Sequence, residues 1–316
     1  MLSLIPDHRT PIPVIAGPTA SGKTAIATVL ASLASVEFVS ADSRQIYRGL
    51  DIGTAKPTAA ERAAAPYHGL DLVEPDERYS AGRFAREAAE WIAGILARGR
   101  LPLVVGGTGF YLKALFEGLF EEPHLDPGAR DALRRELAGR DSIELERWAK
   151  RLDPAWMGGG RQRAQRVIEV ALLTGRRLSD LHAEAAAATP RFRPVTFLVT
   201  LPRPELHRRI ERRAVAMLEA GLVEETRSVL RRGVGPDAPG LSGVGYRQCV
   251  DHVLGRLPQS ELAAAIVTAT RRYAKRQETW FRHQLKGPVR QLDGTGSPQA
   301  LARELLAGYR AACESE

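Results

Sequence analysis

Short apolar runs alternate with stretches of helical periodicity through the first hundred residues. Pro13–Ala16, Val36–Ser40 and Leu101–Val105 are runs of strand length. Ala25–Ala31 and the segment from Ser80 to Ala97 carry apolar residues at helical spacing, with Ser80 placed to cap the second helix. This strand–helix rhythm predicts a doubly wound parallel sheet. From about Glu121 to Pro190 the strand-like runs vanish and Arg, Ala and Glu dominate, with helices expected over Ala129–Leu137 and Ile143–Leu152. A small low-complexity patch, Ala185–Ala188, ends that stretch. Arg191–Val199 restores a strand, followed by helices over Arg203–Ala220 and Leu222–Arg232. A Gly-rich turn at Gly240–Gly245 and a long helix over Ser260–Leu285 come next. The pattern predicts an α/β core, residues 1–120 and 191–316, with a helical insertion at 121–190.

Between the first strand and the first helix stand Gly17, Pro18, Thr19, Ala20, Ser21, Gly22, Lys23 and Thr24, which fit G-x-x-x-x-G-K-[ST]. Strand before and helix after are the context that this phosphate loop requires. Its backbone N–H groups cradle an anion, Lys23 adds a positive charge, and the Thr24 hydroxyl is suited to Mg²⁺. The core is thus expected to be a P-loop NTPase-like parallel sheet flanked by helices. The loop predicts a phosphate compound without saying which one.

Composition adds a direction. The chain of 316 residues is ordinary in its hydrophobic (44%) and charged (26%) content, but its net charge is +8 and its pI about 9.8. Six of the 45 basic residues are Lys and the other 39 are Arg. Arg binds phosphate through two parallel hydrogen bonds and stacks on bases, which suits a polyanionic partner, although a GC-rich coding sequence produces the same bias. Cys249 and Cys313 are too few for a metal site or a disulfide framework. With no apolar segment of membrane length and no signal-like core in Met1–Pro11, a cytoplasmic location and no membrane partner are expected.

Chemistry narrows at the strand ends, where open parallel sheets gather their ligands. The second strand runs into Asp42-Ser43-Arg44-Gln45, which places Asp42 beside the loop. The third ends in Gly106-Gly107-Thr108-Gly109, with no acid where NTP-hydrolysing proteins hold Mg²⁺. A single carboxylate suits a general base acting on an incoming nucleophile, or else a cap for the following turn. Thr108 is either a donor to a leaving oxygen or a turn residue.

Six segments occur in order: Gly17–Thr24, Asp42–Tyr47, Asp51–Pro57, Gly106–Tyr111, Gly243–Gln248 and Ala274–Arg282. Together they resemble the bacterial tRNA dimethylallyltransferases, over a span from about Val14 to Arg282. The resemblance implies that dimethylallyl diphosphate lies with its diphosphate in Gly17–Thr24, bridged by Mg²⁺ through Thr24, with Lys23 retained as its counter-charge. It implies a second cation, Arg213, from Arg209-Ile210-Glu211-Arg212-Arg213. Asp42 is then the base toward the adenine amine, and Thr108 the donor to the bridging oxygen. The implied partner is the anticodon stem-loop of tRNA. Its contacts fall on Asp42, Ser43, Arg44, Gln45 and Thr108; on Gln162, Arg163, Ala164, Gln165 and Arg166; on Ser242, Gly243, Val244, Gly245, Tyr246 and Arg247; and on Lys275, Arg276, Gln277, Trp280 and Arg282. A monomer is expected.

Arginine clustering agrees with this reading. Arg161, Arg163 and Arg166 follow Gly158-Gly159-Gly160, a departure from the Asn-Asp pair usual in the family. Ser242-Gly243 likewise replaces a bulkier or charged pair. Arg271, Arg272, Lys275, Arg276 and Arg282 stud the late helix with Tyr273, Trp280 and Phe281 interleaved, the mixture that an RNA loop uses for phosphate contact and stacking. For Trp280 and Phe281 a place in the core is the other reading. His68, His124, His182 and His283 show no ligand spacing. The rival functions are an adenylate isopentenyltransferase acting on free AMP or ADP, a P-loop small-molecule kinase, and a non-catalytic RNA-binding protein.

Overall fold

A computed structural model of the chain describes residues 9–118, 125–187 and 191–314. Met1–His8, the Glu121 and Pro190 boundaries of the expected insertion, His124 and Ala188 lie outside the described residues, as do the side chains of 185–187.

The core is one six-stranded sheet, all of whose recorded pairings are parallel. In chain order its elements are β1 (Thr10–Ala16), α1 (Lys23–Leu33), β2 (Val36–Ser40), α2 (Ala59–Ala64), β3 (Tyr67–His68), α3 (Ala81–Ala97), β4 (Leu101–Gly106) and α4 (Gly109–Glu117). Four helices then intervene, α5 (Pro127–Ala138), α6 (Ser142–Leu152), α7 (Arg161–Thr174) and α8 (Leu178–Ala187). The core resumes with β5 (Phe192–Thr200), α9 (Arg203–Glu219), α10 (Leu222–Arg231), a 3-10 turn at Gly240–Ser242, α11 (Tyr246–Val253), α12 (Gln259–Gln284), β6 (Val289–Asp293) and α13 (Pro298–Glu314).

Strand order is β3-β2-β4-β1-β5-β6. β1 lies between β4 (Val14 opposite Val104) and β5 (Val14 opposite Thr196). The central strands are apolar without alternation because helices cover both faces, as parallel sheets require. One core cluster joins Ile26 and Leu30 of α1 and Leu301 and Leu305 of α13 to Ile15, Phe38, Leu103 and Phe197 of the sheet. Each such large side chain, once buried, contributes on the order of 1.5–3 kcal/mol. α3 begins where Ser80 accepts from Arg83 N–H, as its N-cap spacing predicts, and buries Phe84, Ala88, Ile92 and Ile95. A second cluster joins Ile46, Leu50, Leu222, Val229, Tyr246, Val250, Leu262 and Ile266, gathering α10, α11 and α12 around the segment after β2.

Contacts divide the chain into Met1–Phe116 with Arg191–Glu316, and Glu117–Pro190. The second unit is the four helices α5–α8, centred on Leu137, Leu145, Ala149, Ala164, Val167 and Ile168. Asp126 and Asp141 cap α5 and α6 by accepting from Ala129 and Glu144 N–H. Glu169, buried on α7, accepts from Arg130 (3.0 Å) and Arg134 (2.7 Å). β6 and α13 were not expected from the sequence: Val289–Asp293 has three exposed positions as a sheet edge and lacks a continuous apolar run.

Candidate active site

Gly17 leaves β1 at φ +153°, and a Cβ there would stand 2.7 Å from the Val199 carbonyl of β5, so the loop can start its turn only with glycine. Ala20 takes φ 64°, a left-handed backbone that surrounding structure must hold in place. α1 then begins at Lys23. Its ammonium donates to the carbonyls of Gly17 (2.9 Å) and Pro18 (2.7 Å), pinning the amine across the loop mouth. Burial lowers the Lys23 pKa to about 8; Asp42 opposes that fall and Arg213 adds to it. The Ser21 hydroxyl is buried without a partner among the described residues, a donor left free in the loop.

Lys23, Thr24, Ser40, Asp42, Gln45, Pro57, Tyr67 and Gly106 line one cleft enclosing about 420 Å³ that opens to solvent. Asp42 leaves the end of β2 and accepts from Arg44 N–H through Oδ1 at 2.8 Å. Oδ2 has no partner among the described residues, so one carboxylate both caps its turn and offers an oxygen to the cleft. Thr108, in the turn between β4 and α4, bonds to the turn that carries Asp42. Its N–H donates to Ala41 O (3.1 Å), and its hydroxyl accepts from Ser43 N–H (3.0 Å). On α9, burial holds the Arg213 guanidinium below the usual arginine value, against the raising effect of Asp42. Lys23, Arg213 and Asp42 therefore share one electrostatic environment: two cations and one acid.

Hard oxygen donors suited to Mg²⁺, the Thr24 hydroxyl and the Asp42 carboxylate, line this cleft. Among the described residues no group of three or more His, Cys, Asp or Glu could hold a metal. Such a donor set fits an ion held mainly by ligand phosphate oxygens.

The late helix meets the loop through Gln277. Its Oε1 accepts from Thr19 N–H and its Nε2 donates to Gly107 O, both at 2.8 Å. Arg209, in the same motif as Arg213, donates to Ser21 O (3.4 Å) and Gly294 O (3.0 Å) while paired with Glu205. Tyr273 of α12 feels the site too. Burial, with Asp42, raises its pKa to about 12, while Arg44, Arg276 and Thr108 oppose. Neither the loop contact of Arg209 nor the place of Tyr273 beside the site is legible in the sequence, although Arg209 opens the Arg209–Arg213 motif and Tyr273 immediately precedes Ala274–Arg282.

The residues expected at RNA fall into two groups. Arg44 joins two of the expected segments, donating to Pro239 O (2.9 Å) and Ser242 Oγ (3.1 Å). Ser43 and Val244 are half-buried; Ser242, Arg247, Lys275, Arg276 and Arg282 are exposed, with Arg247 paired to Asp237. In the insertion, Gln162 and Arg163 are exposed, whereas Gln165 and Arg166 are half-buried.

Others are engaged within the fold. Ala164 is buried in the helical core. Tyr246 is buried, donates to Glu225 and accepts from Gly53 N–H (3.0 Å), so its ring holds the Asp51–Pro57 loop. Gly243 and Gly245 are buried. Gln45 has both ends of its amide occupied, by Ser40 Oγ (2.8 Å) and Ala55 O (3.1 Å), and Gln277 is occupied as above. The side chains of Ala164, Tyr246, Gln45 and Gln277 are thus engaged within the fold. Arg161 leaves the basic cluster as well, because it donates to Leu137 O (2.9 Å) and Ala138 O (2.8 Å) at the end of α5. Phe281 is core, and Trp280, half-buried, packs on Gly109 and meets Phe281 edge-on at 5.6 Å.

Known proteins resemble the whole of this arrangement. The IPP transferase family model matches residues 45–284, and the isopentenyl transferase model matches residues 10–65. A protein of Syntrophotalea carbinolica named tRNA dimethylallyltransferase 1 is 46% identical over 283 residues, covering 87% of this chain and 89% of its own length. The tRNA dimethylallyltransferase of Thermus thermophilus is 45% identical over 278 residues, 86% of this chain and 90% of its own. Among solved structures, the tRNA isopentenylpyrophosphate transferase of Bacillus halodurans has a TM-score of 0.71 at 31% identity, covering 98% of this chain and all of that one. A eukaryotic dimethylallyltransferase acting on tRNA has a TM-score of 0.74 at 26% identity, covering 90% of this chain and 74% of that one.

Proposed function

The chain belongs to the IPP transferase family, and on that premise we propose that it is a tRNA dimethylallyltransferase, moving a dimethylallyl group from dimethylallyl diphosphate to N6 of adenosine 37 in tRNAs that read codons beginning with U. One observation supports this above the rest: the cleft sets a single carboxylate, Asp42, against the loop and its two cations.

The chemistry follows from charge. Attack of N6 on the allylic carbon forms the N–C bond and breaks the C–O bond, whose electron pair leaves with the diphosphate. Lys23, Arg213 and the loop N–H groups stabilise that growing charge. Mg²⁺, when bound at Thr24, adds Lewis-acid neutralisation of the diphosphate oxygens. Thr108 turns its hydroxyl from Ser43 to the bridging oxygen. Adenine N6 is a weak nucleophile because its lone pair is delocalised, so Asp42 Oδ2 takes its proton as the bond forms. The adenine leaves its stack to reach the cleft, at a cost of a few kcal/mol that an anticodon loop meets more easily than a duplex. No helix among the described residues is long and apolar enough to cross a membrane, and a cytoplasmic monomer accompanies this reading.

The test supplies labelled dimethylallyl diphosphate and Mg²⁺ with unmodified tRNA or with AMP, followed by nuclease digestion. Prenylated adenosine from tRNA is the expected product. Label confined to AMP, or γ-phosphate transfer from ATP to a small molecule, would refute the assignment.

A further inference from the structure

We infer that Gln277 is a positioning residue for the reaction proposed above, setting the diphosphate loop and the Thr108 turn as one unit from the buried face of α12. Ala274, Gln277 and Phe281 form that face, at spacings of three and four residues. Lys275, Arg276 and Arg282 lie exposed on the same helix.

The carboxamide is chemically specified at both ends. Thr19 N–H can only donate and Gly107 C=O can only accept, so Oε1 and Nε2 have one possible arrangement, each at 2.8 Å. A carboxylate or an alkyl chain satisfies at most one of the two. Gly107 adds a steric complement: a Cβ there would lie 2.5 Å from Gln277 Nε2 and 3.2 Å from Gly17 O. The glycine of one motif and the glutamine of another are therefore two halves of one contact, 170 residues apart.

This contact determines which donors face the anion. Pro18 has no N–H, and that of Thr19 is held by Gln277, so the early part of the loop gives the ligand nothing. The anion seat moves toward Ala20–Thr24 and the start of α1, beside the unpartnered Ser21 hydroxyl and Lys23. At its other end Gln277 fixes the carbonyl immediately before Thr108, whose hydroxyl must point at the bridging oxygen of the same diphosphate. One side chain thus aligns the donors on both sides of the bond that breaks.

The experiment measures inorganic diphosphate binding with Mg²⁺, unmodified tRNA binding, and turnover, for wild type, Gln277→Ala and Gln277→Glu. Loss of both hydrogen bonds in the Ala variant should weaken diphosphate binding about tenfold and lower kcat, leaving tRNA affinity unchanged. The Glu variant keeps the acceptor for Thr19 but turns a carboxylate oxygen toward Gly107 O; protonation restores a donor. Its diphosphate affinity should therefore recover, relative to wild type, as pH falls. Diphosphate affinity and kcat unchanged in Gln277→Ala would overturn the inference. So would tRNA affinity lost while diphosphate affinity is kept, or a Gln277→Glu profile parallel to that of wild type. A wild type that binds diphosphate without prenylating tRNA would instead refute the functional assignment, and the binding comparison would still test Gln277.

Discussion

Replacing Asp42 by Asn and by Ala separates its part in the turn from its proposed part as general base. Asn keeps an oxygen where Arg44 N–H donates at 2.8 Å but removes the charge and the proton acceptor. Ala removes all three. A positioned general base contributes roughly 10²–10⁴ in rate, so Asp42→Asn should lower single-turnover prenyl transfer by that factor, about 3–5 kcal/mol in barrier. Its melting temperature should hold. Asp42→Ala should show the same catalytic loss and lose in addition about 1 kcal/mol of stability with the turn hydrogen bond, or roughly 2 °C for a chain of this size. A further effect follows from Lys23. Asp42 opposes the depression that brings that ammonium to about 8, so either substitution should push it lower and make diphosphate binding fail at a less alkaline pH. Transfer of label from dimethylallyl diphosphate to unmodified tRNA, with thermal unfolding in parallel, checks each part. Asp42→Asn retaining activity within about threefold of wild type would leave Asp42 as a turn cap and end its assignment as base.

Lys56, buried between Asp51 (2.7 Å), Asp71 and Tyr47 O, should cost roughly 1–3 kcal/mol when replaced by Met, because the Tyr47 carbonyl loses its donor, Asp51 loses its cation and Asp71 is left with Arg62 alone; denaturant unfolding showing under about 0.5 kcal/mol would contradict this. Glu37 is held at about 2, chiefly by its hydrogen bond to Arg98, against burial and with help from His68. A depressed carboxylate stabilises fully above its ordinary value of 4.5 and less as pH falls from there through 2, so the difference between wild type and Glu37→Gln, at most about 3 kcal/mol, should shrink across that window; a flat difference refutes it. Arg276→Ala should weaken tRNA binding and reduce the slope of log affinity against log salt by about 0.7, the value for one single-strand phosphate contact, whereas an unchanged slope would leave Arg276 facing solvent over Tyr273.

What could be read from the chain divides by the range of the interaction. The β1–loop–α1 unit, the Ser80 cap and the first two helices of the insertion are local, since periodicity, a capping oxygen and a glycine spacing suffice to specify them. Asp42 and Thr108 could be placed because strand ends in a parallel sheet converge. Partner choice was not local. Tyr246, Gln45, Gln277 and Arg161 are polar residues in motif-rich segments, and composition cannot distinguish one that faces RNA from one that ties two loops together. Tyr246 and Gly53 are a case in point: the glycine leaves no room beyond the ring, and its N–H meets the ring's hydroxyl 193 residues away. β6 was hidden for a different reason. An edge strand with exposed Arg290 and Gln291 needs only half its positions apolar, so its pattern is that of a loop until β5 supplies the register Leu198 to Gln291.

The missing second acid has a steric cause, and that cause decides between prenyl transfer and phosphoryl transfer. NTP-hydrolysing proteins put a carboxylate at the end of a strand beside the loop to hold Mg²⁺. Here that strand is β4, and it ends in Gly106-Gly107. A Cβ on Gly106 would collide with the backbone carbonyl of Ala41, which cannot move without displacing Asp42 next to it. On Gly107 it would strike Gln277 and crowd Gly17 O. No Asp or Glu can be accommodated at either position while β2, the loop and α12 stay packed as they are. The geometry that brings Asp42 close enough to act on an incoming amine is thus the geometry that excludes a metal-holding acid opposite it. A kinase would have to open the β2–β4 strand ends, and doing so would break the Thr108–Ala41 and Gln277–Gly107 hydrogen bonds together.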